Sequence, residues 1–264
     1  MYTVVNNGIV INRNTGGFFS CSSVRLEAII DYFNKNDIPA YIDSSIQYDF
    51  YKTHLEKEKD KDICENYFLS DTRENIKKDI KIEYSNQDQF KKYNVIDYTN
   101  ICPFVRRYFS PANNIKSIMK YIENKYNIDY ENTCTIFFRG NDKILETTLP
   151  EYSDYINNAR KLKNENPSLK FLVQSDETQF IDCMIQEFKN DAIVFRDEIR
   201  HMNNSSKTSV DGLYHSLNSE YSKKFLAIII IMSKTKHIIC NTGNCSIWIL
   251  FYRENSENVI QLPV

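Results

Sequence analysis

The sequence predicts an α/β fold in which parallel strands alternate with helices. The chain has 264 residues, of which 42% are hydrophobic, so it can form one large α/β domain or two smaller ones. Through its second half, short apolar runs alternate with amphipathic segments, and polar loops follow the runs. Since the carboxyl ends of parallel strands share one edge of a sheet, we expect these loops to lie together there.

The beginning of the chain has the strand–loop–helix–strand order that opens a doubly wound sheet. Gly16 and Gly17 belong to the loop, and Ser22 or Ser23 is the expected cap of the helix that follows. A helix that begins after a glycine-rich loop also favours anions, because its first amides point outward. The predicted elements are strands at 3–5, 9–11 and 39–42 and a helix at 24–33.

The middle of the chain is polar and less regular. Residues 54–64 are almost all charged, and we interpret them as a solvated loop or helix face rather than a metal-binding motif. Pro111 is expected to begin a helix, because proline suits a first helical turn. The other predicted elements are a helix-like stretch at 73–94, a strand at 95–98 and a helix at 112–126. A boundary near residues 108–112 divides the chain into predicted domains 1–110 and 111–264.

The second half repeats one pattern, a strand followed by a helix. Strands are predicted at 135–138, 170–173, 192–195, 237–240 and 259–262. Helices are predicted at 152–162, 180–188, 221–232 and 245–252, with a polar loop at 201–219. This alternation indicates a parallel Rossmann-like sheet whose exit loops share one edge.

Composition argues against several classes of protein. The net charge is −2, from 33 basic and 35 acidic residues, so no general basic field draws the chain to nucleic acid. The sequence has no GxSxG motif and no GxGxxG fingerprint, and its four histidines have no metal-ligand spacing. We therefore expect no metal site, no serine hydrolase and no dinucleotide-binding enzyme.

The sequence also predicts a location in the cell. Its seven cysteines form no CxxC pair, which favours a reducing compartment without a disulfide framework. The first residues lack the basic and apolar regions of a signal peptide, and the longest apolar run, 225–232, is too short to span a bilayer. We therefore expect a cytoplasmic protein without a transmembrane segment. The excess of Asn, Ile, Lys and Tyr indicates an AT-rich genome, such as that of a virus.

The segment 134–143, CTIFFRGNDK, carries the clearest chemical signal. Its apolar run ends abruptly at Arg139, so a buried strand is expected to open into a polar loop. A guanidinium there suits a pyrophosphate, because its planar fork of donors matches paired oxygens. The same residues also suit a surface β-turn without a ligand, and the residues alone leave both interpretations open.

Scarce glycines mark the loops that are expected to converge. The chain has only six, of which Gly140 and Gly243 follow two strands of the second half, while Gly16 and Gly17 occupy the matching loop of the first. Such glycines let backbone amides face a phosphate, although they also permit tight turns without a ligand. The converging loops of the second half are 139–143, 175–177 and 241–244.

The order and spacing of these loops resemble the donor-binding half of the α-1,6-fucosyltransferase and nodulation fucosyltransferase group, relatives of the protein O-fucosyltransferases. Residues 137–143 are similar to that family's first motif, His-Val-Arg-Arg-Thr-Asp-Lys. Residues 174–177 are similar to its Thr-Asp-Asp strand exit, and residues 240–244 to its last motif, Cys-Thr-Phe-Ser-Ser. The resemblance covers residues 110–262 and leaves the first part of the chain unmatched beyond its strand–loop–helix plan.

The resemblance implies a GT-B-like fold, in which two Rossmann-like domains with parallel sheets face a cleft. It implies an inverting, metal-independent glycosyltransferase that moves fucose from GDP-fucose to a glycan or protein acceptor, without a further cofactor. Arg139 would then bind the pyrophosphate of the donor. Asp142 and Lys143 would shape that loop, and Asp176 would support the donor site.

Several residues depart from the family pattern. Phe137 stands for the leading His, Gly140 for the second Arg, and Gly243 for the first Ser of the last pair. Ile228 stands where the family carries an Asp on the preceding helix. The family's proposed catalytic base falls one residue after Glu146, which is the nearest carboxylate and hence the candidate base.

The sequence thus predicts Arg139 and Glu146 as catalytic residues. The predicted substrate-binding residues are Gly16, Gly17, Gly140, Asn141, Asp142, Lys143, Ser175, Asp176, Thr242, Gly243 and Asn244. An alternative, favoured by the departures, is an inactive nucleotide- or carbohydrate-binding protein derived from this fold. A nucleic-acid-binding protein, supported by basic pairs and 18 tyrosines, is disfavoured by the near-neutral charge.

Overall fold

A computed structural model describes residues 1–69, 76–77 and 80–263 of the chain. These residues form an α/β fold with one three-stranded sheet and one five-stranded parallel sheet, and helices pack against both. The α/β class predicted from the sequence is therefore confirmed. Part of the helix-like stretch predicted at 73–94, namely residues 73–75 and 78–79, lies outside the described residues.

The three-stranded sheet is formed by the start of the chain. Strands β1 (Tyr2–Val5) and β2 (Gly8–Ile11) pair antiparallel as a hairpin, and β3 (Ile42–Asp43) pairs parallel to β2. Helix α1 (Phe18–Lys35) connects β2 to β3, so the predicted strand–loop–helix–strand order is confirmed. The sheet combines both strand orientations, whereas the resemblance implies a parallel sheet in this half as well.

Helix α1 begins earlier than the sequence pattern predicts. Its N-cap is Gly17, and the predicted caps, Ser22 and Ser23, lie buried inside the helix. The Ser22 hydroxyl donates to the Phe18 carbonyl oxygen at 3.0 Å, one turn back along the helix. The prediction of a serine cap is wrong because Phe18 and Phe19 are core residues and extend the helix to the glycine pair.

The middle of the chain contains helices α2 (His54–Glu58), α3 (Tyr98–Tyr108) and α4 (Asn113–Tyr126). The strand predicted at 95–98 is wrong, because Asp97 accepts from the Asn100 amide and caps α3 there. The helix expected after Pro111 is confirmed. Short 3₁₀ turns lie at Asp49–Tyr51, Cys64–Asn66, Asn86–Phe90 and Tyr93–Val95.

The second half alternates strands and helices as predicted, with small shifts in the bounds. Its strands are β4 (Thr133–Phe138), β5 (Lys170–Ser175), β6 (Ala192–Val194), β7 (His237–Asn241) and β8 (Val259–Leu262). Its helices are α5 (Tyr152–Glu165), α6 (Thr178–Phe188), α7 (Val210–Leu213), α8 (Asn218–Ser233) and α9 (Asn244–Arg253). Helix α7 lies within the segment 201–219, which the sequence pattern predicts as a loop.

The five strands β4–β8 are all parallel and lie in the order β6-β5-β4-β7-β8. Strands β4 and β7 are neighbours in space but not in sequence, so the winding of the sheet reverses between them. In open α/β sheets, ligands bind at this reversal, outside the carboxyl ends of the strands. The topology therefore singles out the loops after β4 and β7.

Helices of the first half pack against the second half. Both α1 and α3 contact α9, and Trp248 of α9 is fully buried among aromatic rings, as the sequence predicts for a core residue. The division into domains 1–110 and 111–264 stays a prediction. In the described part of the chain, no helix is both long enough and apolar enough to cross a membrane.

Candidate functional site

Arg139 lies at the switch point between β4 and β7. Its amide donates to Oδ1 of Asn241 at 2.9 Å, and Nδ2 of Asn241 donates to the Arg139 carbonyl oxygen at 2.8 Å. These reciprocal hydrogen bonds tie the two exit loops together and fix the backbone that carries the guanidinium. The loops after β4 and β7 therefore converge, as the sequence pattern predicts.

The Arg139 guanidinium lies between two carboxylates. Its side chain is 24% exposed, with Nη2 3.3 Å from Oδ1 of Asp142 and Nε 3.1 Å from Oδ2 of Asp176. The contact with Asp176 is an ion pair and not an aligned hydrogen bond. Nη1 lies 3.8 Å from the Cys245 sulfur. Because the contacts of the two terminal nitrogens are long, both retain capacity to donate to a ligand.

The neighbouring charges keep this guanidinium ionised. Burial lowers the pKa of Arg139, but the negative charge of Asp176, with smaller effects from Cys245 and Asp142, raises it above its ordinary value. Burial raises the pKa of Asp142, an effect that Arg139 opposes and Asp176 and Glu146 reinforce. Arg139 is therefore a permanent cation at the switch point.

A cleft of about 310 Å³ lies beside Arg139, with walls from both halves of the chain. This volume is at the lower end of the range for small-molecule sites, about 300–1,000 Å³. Predicted site residues on its walls are Gly16, Gly17, Arg139, Asp142, Lys143, Glu146, Gly243 and Asn244. The glycine-rich loop of the first half and the exit loops of the second half thus meet at one cavity.

Two helices begin at the cleft. Gly17 and Phe18 at the start of α1, and Gly243 and Asn244 at the start of α9, all line it. The first amides of a helix have no acceptor within the helix, and the helix dipole adds a positive potential at that end. Helix starts of this kind bind anions. Together with Arg139 they give the cleft the character of an anion site.

The loop after β5 braces the loop after β4. The Gly140 amide donates to Oδ1 of Asp176 at 2.9 Å, and the Asn141 amide donates to Oε1 of Glu177 at 2.7 Å. A Cβ atom on residue 140 would lie 1.9 Å from Oε1 of Glu177. The expectation that the Gly140 amide faces a phosphate is therefore wrong, because Asp176 already accepts from it. Gly140 makes room for Glu177.

Gly243 resembles Gly140 in that its amide is already hydrogen-bonded and its missing side chain makes room for a neighbour. Its amide donates to the Tyr93 hydroxyl at 3.0 Å, so this amide does not face a phosphate either, contrary to the expectation. Its φ is +152°, and a Cβ there would lie 2.9 Å from Cε of Lys143. The glycine that stands for the family's serine therefore makes room for the Lys143 side chain, which crosses the start of α9.

The candidate base, Glu146, is held by Lys143. Oε2 of Glu146 lies 2.5 Å from Nζ of Lys143, and the glutamate side chain is about half exposed to solvent. Lys143 itself is buried, and its Nζ also lies 3.4 Å from Oε1 of Gln89 and 5.3 Å from the centre of the Phe90 ring. The carboxylate therefore faces the cleft while it is paired with the ammonium group of Lys143.

Other predicted site residues lie outside the cleft and form hydrogen bonds within the loops that surround it. Oγ of Ser175 accepts from the Glu177 amide at 3.0 Å, and Oγ1 of Thr242 accepts from Nε2 of Gln261 at 3.0 Å. Nδ2 of Asn141 donates to the Asp176 carbonyl oxygen at 2.8 Å. In the described part of the structure, the residues lining the cleft do not include Gly140, Asn141, Ser175, Asp176 or Thr242.

The sequence pattern does not identify one further charged residue at the cleft, Asp211. Asp211 lines it, with Oδ1 2.6 Å from Nη2 of Arg200 and Oδ2 2.6 Å from the Tyr51 hydroxyl. The Tyr51 hydroxyl in turn accepts from the Phe18 amide at 2.8 Å. The polar segment 201–219 is the one sequence signal for these contacts, since its length lets it reach the opposite half of the chain.

A smaller cavity of about 50 Å³ adjoins the cleft and shares Arg139 with it. Ile228 and Gln174 lie on its wall. This space has room for one or two water molecules, since one water occupies about 30 Å³ in the liquid. The position where the family carries an Asp thus lies close to Arg139, but an apolar side chain occupies it.

Among residues 1–69, 76–77 and 80–263, no three His, Cys, Asp or Glu side chains are grouped as a metal site would require. No protein-family model matches the chain. No curated protein matches it.

Solved structures similar to the chain include fucosyltransferases. POFUT1 in complex with GDP has a TM-score of 0.42 and 9% identity, covering 62% of this chain and 52% of that chain. NodZ alpha-1,6-fucosyltransferase soaked with GDP-fucose has a TM-score of 0.38 and 9% identity, covering 59% and 47%. A mutant of Arabidopsis thaliana FUT1 in complex with GDP has a TM-score of 0.36 and 10% identity, covering 61% and 34%. The matched part spans about half of the first two chains or less, and likeness at these TM-scores carries no argument about function.

Proposed function

We propose that this chain is an inverting glycosyltransferase that moves a sugar from a nucleotide-sugar donor to a hydroxyl group of a glycan or protein acceptor. The motif resemblance names GDP-fucose as the donor. The donor is a co-substrate, and the proposal requires no metal ion and no further cofactor.

One observation carries the proposal. Arg139, at the switch point of a parallel sheet, and the starts of α1 and α9 all face one cleft of about 310 Å³. A diphosphate carries its negative charges on adjacent phosphoryl groups, so it needs several donors in one place. An arginine fork between two helix starts supplies both the charge and the donors.

Arg139 and the helix starts can also stabilise the diphosphate as it leaves the sugar. During transfer, negative charge grows on the phosphate oxygen that leaves the sugar. Donors that are already in position stabilise that charge without reorganising, and such donors are each worth about 10²–10³ in rate. The terminal nitrogens of Arg139 and the first-turn amides of α9 are the donors that support this step, since Asp176 and Tyr93 accept from the amides of Gly140 and Gly243.

Glu146 is the base in this proposal. The acceptor oxygen bonds to the anomeric carbon on the face opposite the diphosphate, the bond from that carbon to the phosphate oxygen breaks, and the hydroxyl proton passes to Glu146. The sugar is thereby transferred with inversion. Lys143, with Nζ 2.5 Å from Oε2, holds the Glu146 carboxylate in place.

A second candidate is a protein that binds the donor without transferring the sugar. The occupied amides of Gly140 and Gly243 favour it, as does the ion pair that already engages Glu146. The cavity beside Ile228, at about 50 Å³, also requires its wall to move before it can admit a nucleotide base.

Two measurements on the same protein separate the candidates. Calorimetry reports whether GDP-fucose binds, and an assay for released GDP reports whether the sugar leaves the donor in the presence of mixed glycan and peptide acceptors. A transferase binds the donor and releases GDP. A binding protein binds the donor and releases none. The absence of donor binding would contradict both.

A further inference from the structure

A second and larger pocket, about 620 Å³ in volume, lies against the middle of α1. Arg25 of α1, the start of β3 and the end of α3 form its walls. Among the residues that the structure describes, the linings of this pocket and of the cleft have none in common. Its volume is within the range of small-molecule sites, about 300–1,000 Å³. The pocket is thus a separate candidate site.

Arg25 is a buried cation whose charge is poorly matched by its neighbours. It is 7% exposed, and its Nη1 donates to the uncharged Ser44 hydroxyl and contacts the Cys64 sulfur at 3.0 Å. Among the described residues its carboxylate partner is Asp62, with Oδ2 3.9 Å from Nη1, and the centre of the Phe109 ring lies 5.9 Å from the guanidinium carbon. Within the described residues, Nε finds no hydrogen-bond acceptor. A buried guanidinium normally has a close and aligned anion, because leaving its donors unmatched is costly.

Neither acidic group beside Arg25 gives it an aligned carboxylate. Asp62 forms only a long ion pair with Nη1, at 3.9 Å, and the hydrogen bond from Nη1 to Cys64 ends on a thiol. Oδ2 of Asp62 accepts from the Ser44 amide at 2.7 Å, and Oδ1 accepts from the Cys64 amide at 2.9 Å. Burial raises the pKa of the Cys64 thiol to about 12, so this sulfur carries no charge at neutral pH. The guanidinium therefore has room for one more anionic partner, and the pocket is where that partner can enter.

The rest of the pocket is mainly apolar. Ile38, Pro39, Ile42, Phe68 and Leu69 line it, and Tyr41 lies at its edge with 41% of its surface exposed. The Tyr41 ring lies against Gly8, where a Cβ atom would lie 2.4 Å from Cδ1 of the ring. The exposed part of this ring is a contact surface for an apolar ligand.

From these contacts we infer that the pocket binds a small organic acid with a single carboxylate and an apolar body, such as a medium-chain fatty acid. The carboxylate bonds to the guanidinium of Arg25, and the apolar body lies along Tyr41 and Ile42. A single negative charge suits the site better than a phosphate with two, because the two arginines of the lining, Arg25 and Arg107, already share it with two carboxylates, Asp62 and Glu65. This inference is independent of the proposed transferase activity.

Calorimetric titration with octanoate, and with octanamide as its uncharged match, tests the inference on the full chain. Octanoate is expected to bind at least about tenfold more tightly, because its bond to arginine is charge-assisted. Equal affinity for the two probes, or no binding of octanoate, would overturn the inference. This comparison uses the unmodified protein, so it does not depend on whether a variant folds.

Two variants test whether octanoate binds in this pocket. Arg25→Gln is expected to lose the preference for octanoate over octanamide. Tyr41→Ala, at an exposed position, is expected to weaken both probes alike and to leave GDP binding in the cleft unchanged. If octanoate still binds Arg25→Gln and Tyr41→Ala with full affinity, or if GDP displaces it, the ligand is elsewhere and the assignment of this pocket is wrong.

Discussion

The two glycine-bearing regions of the cleft differ in what lies beside each glycine. Next to Gly17, before α1, a Cβ atom would meet the Ser20 Cβ at 3.7 Å, which is an ordinary contact. Beside Gly140 and Gly243, in the exit loops of the five-stranded sheet, it would collide with Glu177 and Lys143. At Gly16, in the same loop, φ is +81° and a Cβ atom would lie 3.2 Å from the Phe50 ring, so this loop has open space at Gly17 only. The exit loops use their glycines to pack charged side chains of the site.

This difference changes the meaning of the departures from the fucosyltransferase pattern. Taken as isolated substitutions, glycine for arginine and glycine for serine remove ligand-binding groups. In the fold, each substitution admits another polar side chain from a neighbouring loop. Glu177 then braces the backbone beside Arg139, and Lys143 reaches Glu146. Variants of both regions test whether the exit loops are required for function while the loop before α1 mainly leaves room for a ligand.

The largest effect is expected at Arg139 itself. Arg139→Ala removes the cation at the switch point, and sugar transfer from GDP-fucose should fall about 10²–10³-fold. Circular dichroism should show that the fold is retained, because the loop is also held by hydrogen bonds of the Arg139 backbone to Asn241. The unfolding transition should move to lower denaturant, since the buried Asp176 carboxylate loses its partner. Arg196→Ala, an exposed arginine after β6, is the matched control and should keep full activity. Equal losses in both variants would contradict the assignment.

A large loss of stability is expected at Gly140. Gly140→Ala places a methyl group 1.9 Å from Oε1 of Glu177, and the resulting overpacking should lower the free energy of unfolding by about 1–3 kcal/mol. Gly17→Ser is the matched change in the other region, where serine is as good an N-cap as glycine or better. Urea denaturation should show a clear loss for the first variant and none for the second. The reverse order would reject the comparison.

Coupling between Gly243 and Lys143 is the third prediction. Gly243→Ala should destabilise the protein by about 1–3 kcal/mol, because alanine is strained at a φ of +152° and the new methyl group also meets the lysine side chain 2.9 Å away. In a Lys143→Ala background the same change should cost less, since the obstructing side chain has been removed. Double-mutant analysis of urea unfolding measures this difference, and simple additivity of the two changes would show that the contact does not exist.

The smallest effect concerns Asp142 and pH. Burial raises the pKa of this carboxyl group, so the folded protein keeps its proton to a higher pH than the unfolded chain, where the pKa is about 3.9. Its contribution to stability is therefore complete below about pH 3.9 and is lost as the pH rises through the folded-state pKa.

Asp142→Asn removes that titration. The free energy of unfolding of the variant, minus that of the natural protein, should increase as the pH rises above about 3.9 and level off above the folded-state pKa of Asp142. Urea titrations at several pH values give this difference directly. A difference that stays constant or declines over the same interval would contradict the raised pKa.

The sequence predicts the regular part of this molecule well. Apolar runs with β-branched and aromatic residues mark β4, β5 and β7, because buried parallel strands need hydrophobic side chains on both faces. The abrupt change at Arg139 marks the loop at the switch point. The strand predicted from the apolar pattern at 95–98 is absent from the structure, because Asp97 caps the start of α3 there.

The contacts that define the site are not encoded locally, which is why the sequence pattern misses them. Tyr93 and Gly243 lie 150 positions apart, and Tyr51 and Asp211 lie 160 apart. The hydrogen bond from the Gly140 amide to Asp176 likewise depends on the register between β4 and β5. A resemblance confined to residues 110–262 gives no information on Tyr51 or Tyr93, which the rest of the chain supplies.

A crystal structure of the protein with GDP tests the central claim most directly, namely that Arg139 holds a diphosphate in the cleft. The account predicts that phosphate oxygens lie within hydrogen-bonding distance of the Arg139 terminal nitrogens and face the first turn of α9. A nucleotide bound away from the sheet edge, or a cleft that stays empty at saturating GDP, would contradict it.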